Sequence, residues 1–330
     1  MDTLNIFYEE PSADRWFKYD RYPRAIIRRI LRGELLPGGQ MLVALQLMQG
    51  LKKIGINYRF NDYKYIRNHP EEIACIIGKP HLLYEKKWAN PILFGASTFS
   101  HPLGFEDLLT SRPNIKKILV PGEWMRKMFE PYYGDKVMSW PVGIDTEYWS
   151  PSLKSDNAEY DFLIYDKIRW DHDKYDTELI DPIKKTLSGK GLKFQTIQYG
   201  NYKPEELVEK LSQSKAVIFL CEHETQGLAY QQILSTNTPV LAWDRGGYWQ
   251  DPYYYPTKVK HEPVSSVPYW DERCGEKFKD IGAFNTALSL FLEKTGQRLY
   301  APRDYILENL TLEKCAEAYV EIYRDIKQTL

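Results

Sequence analysis

The stretch AVIFLCEHETQGLAYQQILSTNTPVLAWDRGG, residues 216–247, decides the fold. It begins with an apolar strand at 216–221, continues through a polar turn that holds Glu222 and Glu224, and enters an amphipathic helix after Gly227. In an open α/β sheet, ligands bind where strand carboxyl ends meet helix amino ends, because backbone N–H groups and the helix dipole point there. The pattern therefore favours a site for a sugar nucleotide. Alternatively, it is the strand–turn–helix of any Rossmann-like domain, whose acids cap the helix.

The spacing of two polar residues within this stretch resembles a known signature. Glu224 and Gln232 are separated by seven residues, as in the E-x7-E motif of family 4 glycosyltransferases, whose fold is called GT-B. The resemblance implies that Glu224 is catalytic, close to the transferred sugar, and that Gly227, Leu228 and Gln232 bind the donor. In the family the second glutamate accepts hydrogen bonds from the ribose. Gln232 departs from the pattern, because an amide oxygen accepts such bonds without carrying charge.

A second segment, PGEWMRKMFEPYYGDKVMSWPVGIDTEYWSP at 121–151, extends the resemblance. It looks like the segment that joins the two domains in the same family, with Gly143, Asp145, Trp149 and Pro151 at the positions of that element. The resemblance implies transfer of a sugar from a nucleotide-sugar donor to an acceptor hydroxyl, in polysaccharide or glycoconjugate biosynthesis. It also implies retention of the anomeric configuration and no metal or other cofactor.

Short apolar strands alternate with helical patterns twice along the chain, which predicts parallel sheets covered by helices. We expect an α/β protein with two Rossmann-like doubly wound domains facing a cleft. Residues 1–150 would form the acceptor-side domain and 151–310 the donor domain, with a C-terminal helix at about 311–330 packing back on the first. Predicted strands lie at 5–8, 57–60, 74–78, 92–96, 117–120, 137–140, 162–166, 194–199, 216–221 and 239–244, and predicted helices at 41–54, 177–188, 204–214 and within 301–326.

The composition limits the function further. The 44 Lys plus Arg balance 45 Asp plus Glu, so no global field attracts nucleic acid. Four widely spaced cysteines without a C-x-x-C pair argue against a zinc site and fit a reducing compartment. No apolar run approaches a membrane span, and the N-terminus lacks a signal-peptide core. We therefore expect a soluble, cytoplasmic protein.

Two cations follow the predicted strand 162–166 directly. Lys167 and Arg169 would hold the donor diphosphate, since the family places an arginine and a lysine just after this strand. The alternative is a salt bridge to the neighbouring Asp171 or Asp173. Asp171-His172-Asp173 also matches the D-x-D metal motif of the GT-A glycosyltransferase fold, but the adjacent cations can neutralise a diphosphate without metal.

Other candidate donor and acceptor residues lie in loops. Tyr199 follows the predicted strand 194–199 and would contact the donor base. Gly38 and Gly39 open the helix near residue 41, where glycines let the main chain approach a phosphate; a simple turn is the alternative. The resemblance implies that His101 touches the donor sugar, although a histidine before proline also serves as a loop hydrogen-bond partner.

Two glutamates end the first predicted strand. Glu9 and Glu10 would bind acceptor hydroxyls, or form a solvated turn. The acceptor could be a saccharide, a lipid-linked sugar or a small molecule. Besides the retaining transferase, two functions stay open: an inverting transferase or epimerase with Glu10 as base, and a non-catalytic nucleotide- or carbohydrate-binding module.

Four arginines recur at helical spacing between residues 21 and 32, with isoleucines opposite. A basic amphipathic helix can lie at the inner membrane surface or meet a lipid phosphate. The alternative is a surface helix packed by its isoleucines. The arginines are Arg21, Arg24, Arg28 and Arg32.

Aromatic side chains make up 14% of the chain, and several cluster between residues 245 and 270. Rings in loops form walls for sugars and bases, or serve ordinary packing. This segment would line the acceptor side or close over the donor. The rings are Tyr248, Trp249, Tyr253, Tyr254, Tyr255, Tyr269 and Trp270.

Overall fold

The computed structural model describes residues 2–10, 39–96 and 98–330, which divide into two compact units. The first unit draws on Met1–Pro121, Phe129–Trp140 and Ala316–Leu330, and the second on Gly122–Met128 and Pro141–Cys315. Each unit contains one parallel sheet with helices, which confirms the predicted α/β class. The domain boundaries at residues 150 and 310 stay predictions. The arginine-rich segment at 21–32 and Gly38 lie outside the described residues.

The first unit contains a six-stranded sheet in the order β2-β1-β3-β4-β5-β6, with all strands parallel. The central strands are apolar and fully buried, as expected where helices cover both faces of a parallel sheet. The strands are β1 (Thr3–Phe7), β2 (Asn57–Phe60), β3 (Ala74–Ile76), β4 (Ile92–Phe94), β5 (Ile115–Val120) and β6 (Val137–Ser139).

The helices between these strands are mostly short. The longest of them begins at Gly39, two residues before the predicted start, and carries Lys52 and Lys53 in its last turn, where they complement the helix dipole. The helices are α1 (Gly39–Lys53), α2 (Tyr63–Asn68), α3 (His81–Glu85), α4 (Leu108–Ser111) and α5 (Glu123–Tyr133).

The second unit contains a five-stranded parallel sheet in the order β11-β10-β9-β7-β8. Its first strand therefore lies between the second and the third, and the same holds for β1 in the first sheet. At such a switch point the connections leave to opposite sides, which opens a crevice at the strand carboxyl ends. The strands are β7 (Tyr160–Asp166), β8 (Phe194–Gln198), β9 (Ser214–Leu220), β10 (Val240–Trp243) and β11 (Gly275–Phe278).

Two hydrophobic clusters cover the two faces of the second sheet. One contains Leu207, Ile233 and Ile306, and the other contains Ile183 and Leu288, all fully or nearly fully buried. The helices are α6 (His172–Tyr175), which continues through a π-helical turn at Asp176–Ile180 into α7 (Asp181–Gly189), then α8 (Pro204–Ser212), α9 (Leu228–Ser235), α10 (Ile281–Gly296) and α11 (Pro302–Asn309).

The chain ends in helix α12 (Leu312–Gln328), so the predicted helical segment at 301–326 forms two helices, α11 and α12. The sequence prediction did not include β11, the short helices α2, α3 and α4, or α10. The sequence does contain a signal for α10, namely an aspartate directly before an apolar segment. In the structure Asp280 accepts a hydrogen bond from the Ala283 N–H and caps this helix. No helix among the described residues has the length and apolar character that crossing a membrane requires.

Candidate functional site

The carboxyl ends of β7 and β9 meet at the switch point of the second sheet. Asp166 and Leu220 are paired residues, and the Lys167 N–H donates to the Leu220 carbonyl at 2.7 Å. The next residues of both strands therefore enter the same crevice: the loop after β7 brings Lys167 and Arg169, and the loop after β9 brings Glu222 and Glu224.

Lys167 and Glu224 form an ion pair in this crevice. Their side chains are only 13% and 9% exposed. Burial alone would lower the pKa of Lys167, but the Glu224 carboxylate outweighs it, and the pKa lies above its ordinary value. The ammonium also lies 4.4 Å from the centre of the Tyr199 ring, a cation–π contact. Lys167 is thus a fixed positive charge at the strand end.

Arg169 is held by the second acid of the turn, Glu222. One Glu222 oxygen accepts the N–H groups of Arg169 at 2.7 Å and Trp170 at 2.9 Å, and the other oxygen lies 3.6 Å from the Arg169 guanidinium. The guanidinium donates to the His223 carbonyl at 3.0 Å and remains 35% exposed. The alternative prediction, that Arg169 forms a salt bridge with Asp171 or Asp173, is therefore wrong, because its partner is Glu222.

His223 lies between the two glutamates and is neutral. Burial, followed by the charges of Arg169, Arg245 and Lys167, lowers its pKa to about 2. Three indole rings surround it, with ring centres 5.6, 5.3 and 6.3 Å away. His223 therefore carries no proton charge near neutral pH, and the cations of the site are Lys167 and the two arginines. The three rings belong to Trp124, Trp170 and Trp249.

The main chain of Glu224 is fixed from two sides. Its N–H donates to the Ser265 carbonyl at 2.9 Å, and its carbonyl accepts from the Trp124 indole N–H at 2.7 Å. The Cys221 thiol contacts its carboxylate at 3.6 Å. These contacts hold the carboxylate at the strand end, as a positioned reactive group requires.

Helix α9 begins directly after Gly227, which has φ 77° and ψ 42°. A side chain there would be strained, and its Cβ would overlap the ring of Tyr230, so the position requires glycine. Leu228 starts the helix and is half-buried. Gln232, one turn on, is also half-buried, and its side chain makes no hydrogen bond to a described residue. Its neighbour Gln231 is buried and donates to the Gln226 carbonyl at 2.6 Å.

The central residue of the D-x-D triplet, His172, is paired with acids outside the triplet. His172 bridges two acids, with its Nε2 2.7 Å from Asp166 and its Nδ1 3.0 Å from Asp176. Burial lowers the pKa of His172, but the two carboxylates raise it more, so the net shift is upward. Within the described part of the chain, no group of three or more His, Cys, Asp or Glu residues is placed to hold a metal ion.

Two predicted site residues of the first unit are His101, in the loop between β4 and α4, and Gly39. His101 is buried, its Nδ1 accepts from the Leu103 N–H at 3.0 Å, and its ring meets the edge of Tyr132 at 5.3 Å. Gly39 is the first residue of α1, and no atom of the described residues lies within 4 Å of the position a Cβ would take.

The two glutamates that follow β1 are engaged by aromatic hydroxyls. The Tyr63 hydroxyl donates to Glu9 at 2.7 Å, and the Lys86 ammonium lies 3.1 Å from the same oxygen. The Tyr8 hydroxyl donates to Glu10. Burial and the Glu10 carboxylate raise the pKa of Tyr8, so the phenol stays protonated at neutral pH.

The structure thus brings together Lys167, Arg169, Tyr199 and Glu224, which the sequence had proposed as one donor site. It adds residues that the sequence did not single out as site residues. His223 could have been found from the pattern CEHE and Trp170 from its place directly after Arg169, whereas Trp124 comes from a distant segment without a local signal. The added residues are Trp124, Trp170, His223 and Arg245.

No protein-family model matches the sequence, and no curated protein sequence matches it. Among solved structures, sucrose-phosphate synthase from Thermosynechococcus elongatus is similar over 100% of both chains, with a TM-score of 0.61 and 12% identity. An α-glucosyltransferase in complex with UDP and a DNA 13-mer is similar over 98% of this chain and 99% of that chain, with a TM-score of 0.53 and 11% identity.

The lipopolysaccharide outer core galactosyltransferase WaaB is similar over 98% of this chain and 100% of that chain, with a TM-score of 0.51 and 11% identity. Longer chains match in part: this chain spans 58% of the length of TarM, with a TM-score of 0.48 and 14% identity. The GT-B fold predicted from the sequence is confirmed by the three similarities with TM-scores above 0.5, whereas membership of family 4 stays a prediction.

Proposed function

We propose that the protein is a glycosyltransferase that moves a sugar from a nucleotide-diphosphate donor to an acceptor hydroxyl. The observation that carries the proposal is the cluster of Lys167, Arg169 and Glu224 at the switch point of the second sheet, beside the start of α9. The GT-B fold supports it, since similar structures are named as a glucosyltransferase bound to UDP and as a galactosyltransferase.

In the proposed complex the diphosphate lies between the two cations and the amino end of α9. A helix start offers unpaired N–H groups and a positive dipole end, here at Gly227 and Leu228. Lys167 and Arg169 supply full charges. Tyr199, 51% exposed and already beside Lys167, offers a ring for the base, and Gln232 offers an amide for the ribose.

The chemistry rests on charge that develops as the bond between sugar and diphosphate breaks. The cations stabilise the leaving diphosphate, which lowers the barrier because they are fixed before reaction. The Glu224 carboxylate orients the sugar and stabilises positive charge on it. We propose retention of configuration, with His101 as a contact for the donor sugar and Glu9 and Glu10 for the acceptor.

No metal is required in this scheme, because the two cations and the helix start already oppose the diphosphate charge. We further propose a cytoplasmic location, since all four cysteines are free and buried, as suits a reducing compartment. We also propose that the segment at 21–32 contacts the inner membrane surface. Acceptors of saccharide, lipid-linked or small-molecule type all fit it.

Thermal stabilisation by UDP, GDP, ADP, dTDP and CMP, each with and without EDTA, tests donor binding. One nucleotide at about 100 times its dissociation constant should stabilise the fold by about 2.7 kcal/mol, equally in EDTA. Lys167→Ala should remove the shift, whereas Lys215→Ala, a lysine paired with Asp161 and 60% exposed, should not. Absence of any shift contradicts a donor site, and a shift lost in EDTA contradicts metal independence.

A non-catalytic nucleotide-binding module is the second candidate, because Gln232 replaces the second acid of the E-x7-E pattern. An assay for hydrolysis or transfer of the matching nucleotide sugar distinguishes the glycosyltransferase from the binding module. Binding without turnover by any acceptor class would favour the module. Analysis of the product anomer distinguishes retention from inversion.

A further inference from the structure

A cavity of ≈ 330 Å³ lies in the second unit, on the side of α6. Lys167, Arg169, Tyr199 and Glu224 are not among its lining residues, although Glu222, which holds Arg169, is one of them. Three segments form its walls: the turn into α6, the loop after β9 and the aromatic loop after β10. The lining includes Trp170, Asp171, Lys174, Glu222, Arg245 and Tyr255.

The cavity combines aromatic rings with balanced charge. Trp170, Tyr175 and Tyr255 provide ring surface, and the lining contains two acids, Glu222 and Asp171, and two bases. A lining without net charge disfavours a phosphate or other anion. Flat rings beside polar groups that both donate and accept suit a neutral ligand with many hydroxyls, because its C–H faces stack and its edges hydrogen bond.

The polar groups of the cavity are held in place before any ligand binds. Arg245 donates to the Gln250 side chain at 2.5 Å and to the carbonyls of Tyr248 at 3.3 Å and Glu222 at 3.4 Å. These bonds tie the start of the aromatic loop to the end of β9. A rigid lining reduces the ordering cost of binding.

One buried polar atom of this lining is unsatisfied. Glu222 Oε2 accepts no hydrogen bond from the described residues, and the Arg169 Nε is 3.6 Å away. A buried acceptor without a donor costs free energy. The ion pair with the Arg169 guanidinium offsets part of this cost.

We propose that this cavity is a binding site for a neutral saccharide, distinct from the nucleotide-sugar site. The aromatic loop after β10 forms one wall of this site. The site binds a pyranose whether or not that sugar is transferred. The inference goes beyond the proposed function and fails independently of it, because binding here does not require a nucleotide.

Saturation-transfer NMR with methyl α- and β-glycosides of glucose, galactose, mannose, N-acetylglucosamine and rhamnose tests the site on the full chain. Tyr255→Ala removes a ring from the lining. Tyr253→Ala is the matched control, because this ring is two residues away, is 69% exposed and does not line the cavity. Lys167→Ala reports on the donor site. Circular dichroism checks that each variant is folded.

We expect at least one glycoside to give a signal that Tyr255→Ala weakens tenfold or more, while Tyr253→Ala and Lys167→Ala leave it unchanged. The signal should also persist with a saturating nucleotide diphosphate. A signal lost in Lys167→Ala would place the sugar in the donor site and overturn the proposal. Absence of any signal that depends on Tyr255, or binding of inorganic phosphate in its place, would overturn it as well.

Discussion

The switch points of the two sheets have the same topology and different chemistry. After β1, Glu9 and Glu10 are engaged by tyrosine hydroxyls and a partly exposed lysine. After β7 and β9, Lys167 and Arg169 are paired with acids of the neighbouring strand's loop, and the Lys167 pair is almost buried. The topology thus supplies a crevice in both units, and the side chains decide what each crevice can bind.

From this comparison of the two switch points we expect the largest effect of a substitution to be on the rate of sugar transfer. Glu224→Gln keeps the size of the side chain and removes its charge, so transfer should fall about 10²-fold or more while nucleotide binding persists. Steady-state rates with the matching nucleotide sugar measure this. Glu10→Gln is the partner variant in the first unit, and its effect should be smaller. A collapse in Glu10→Gln with little change in Glu224→Gln would instead favour an inverting mechanism with Glu10 as base.

The next effect concerns stability. Lys167→Met leaves the Glu224 carboxylate buried without its cation, which should cost about 3–5 kcal/mol of unfolding free energy. Lys86→Met breaks the pair with Glu9, whose side chains are 29% and 20% exposed, and should cost about 1 kcal/mol or less. Urea denaturation at pH 7 measures both. An equal loss of unfolding free energy in both variants would mean that the two ion pairs contribute equally to stability despite their different burial.

A third, smaller effect separates two glycines at helix starts. Gly227→Ala should lower stability by about 1–3 kcal/mol, because φ is 77° and the new Cβ overlaps Tyr230. Gly39→Ala should be nearly neutral, since no atom of the residues that the structure describes lies within 4 Å of the new Cβ. Thermal melts compare the two variants. A neutral Gly227→Ala would show that the loop before α9 can relax.

The smallest effect is a pH dependence at His172. Its pKa is raised in the folded state, so its contribution is complete below the unfolded pKa of about 6.5 and is lost as pH rises through the folded pKa. The stability difference between the native chain and His172→Gln should therefore be larger at pH 5.5 than at pH 9. Denaturation at both pH values tests this, and a difference independent of pH would contradict the ion pairs with Asp166 and Asp176.

Much of the fold could be predicted because alternating strands and helices have local periodicity. Strand 57–60 agrees to the residue, and most other elements agree within two. Strand β11 could not be predicted, because its four residues, GEKF, carry two charges and contain no apolar run. Its place in the sheet comes from pairing with β10, which no local pattern records.

The sequence by itself determined the class, the two sheets and the strand ends at which Lys167, Arg169 and Glu224 would meet. Only the tertiary structure decided their partners. Arg169 pairs with Glu222, 53 residues away, rather than with the nearby Asp171, because parallel pairing of β7 and β9 aligns their carboxyl ends. Local spacing fixes periodicity and helix starts, whereas contacts between distant side chains depend on the register of the sheet.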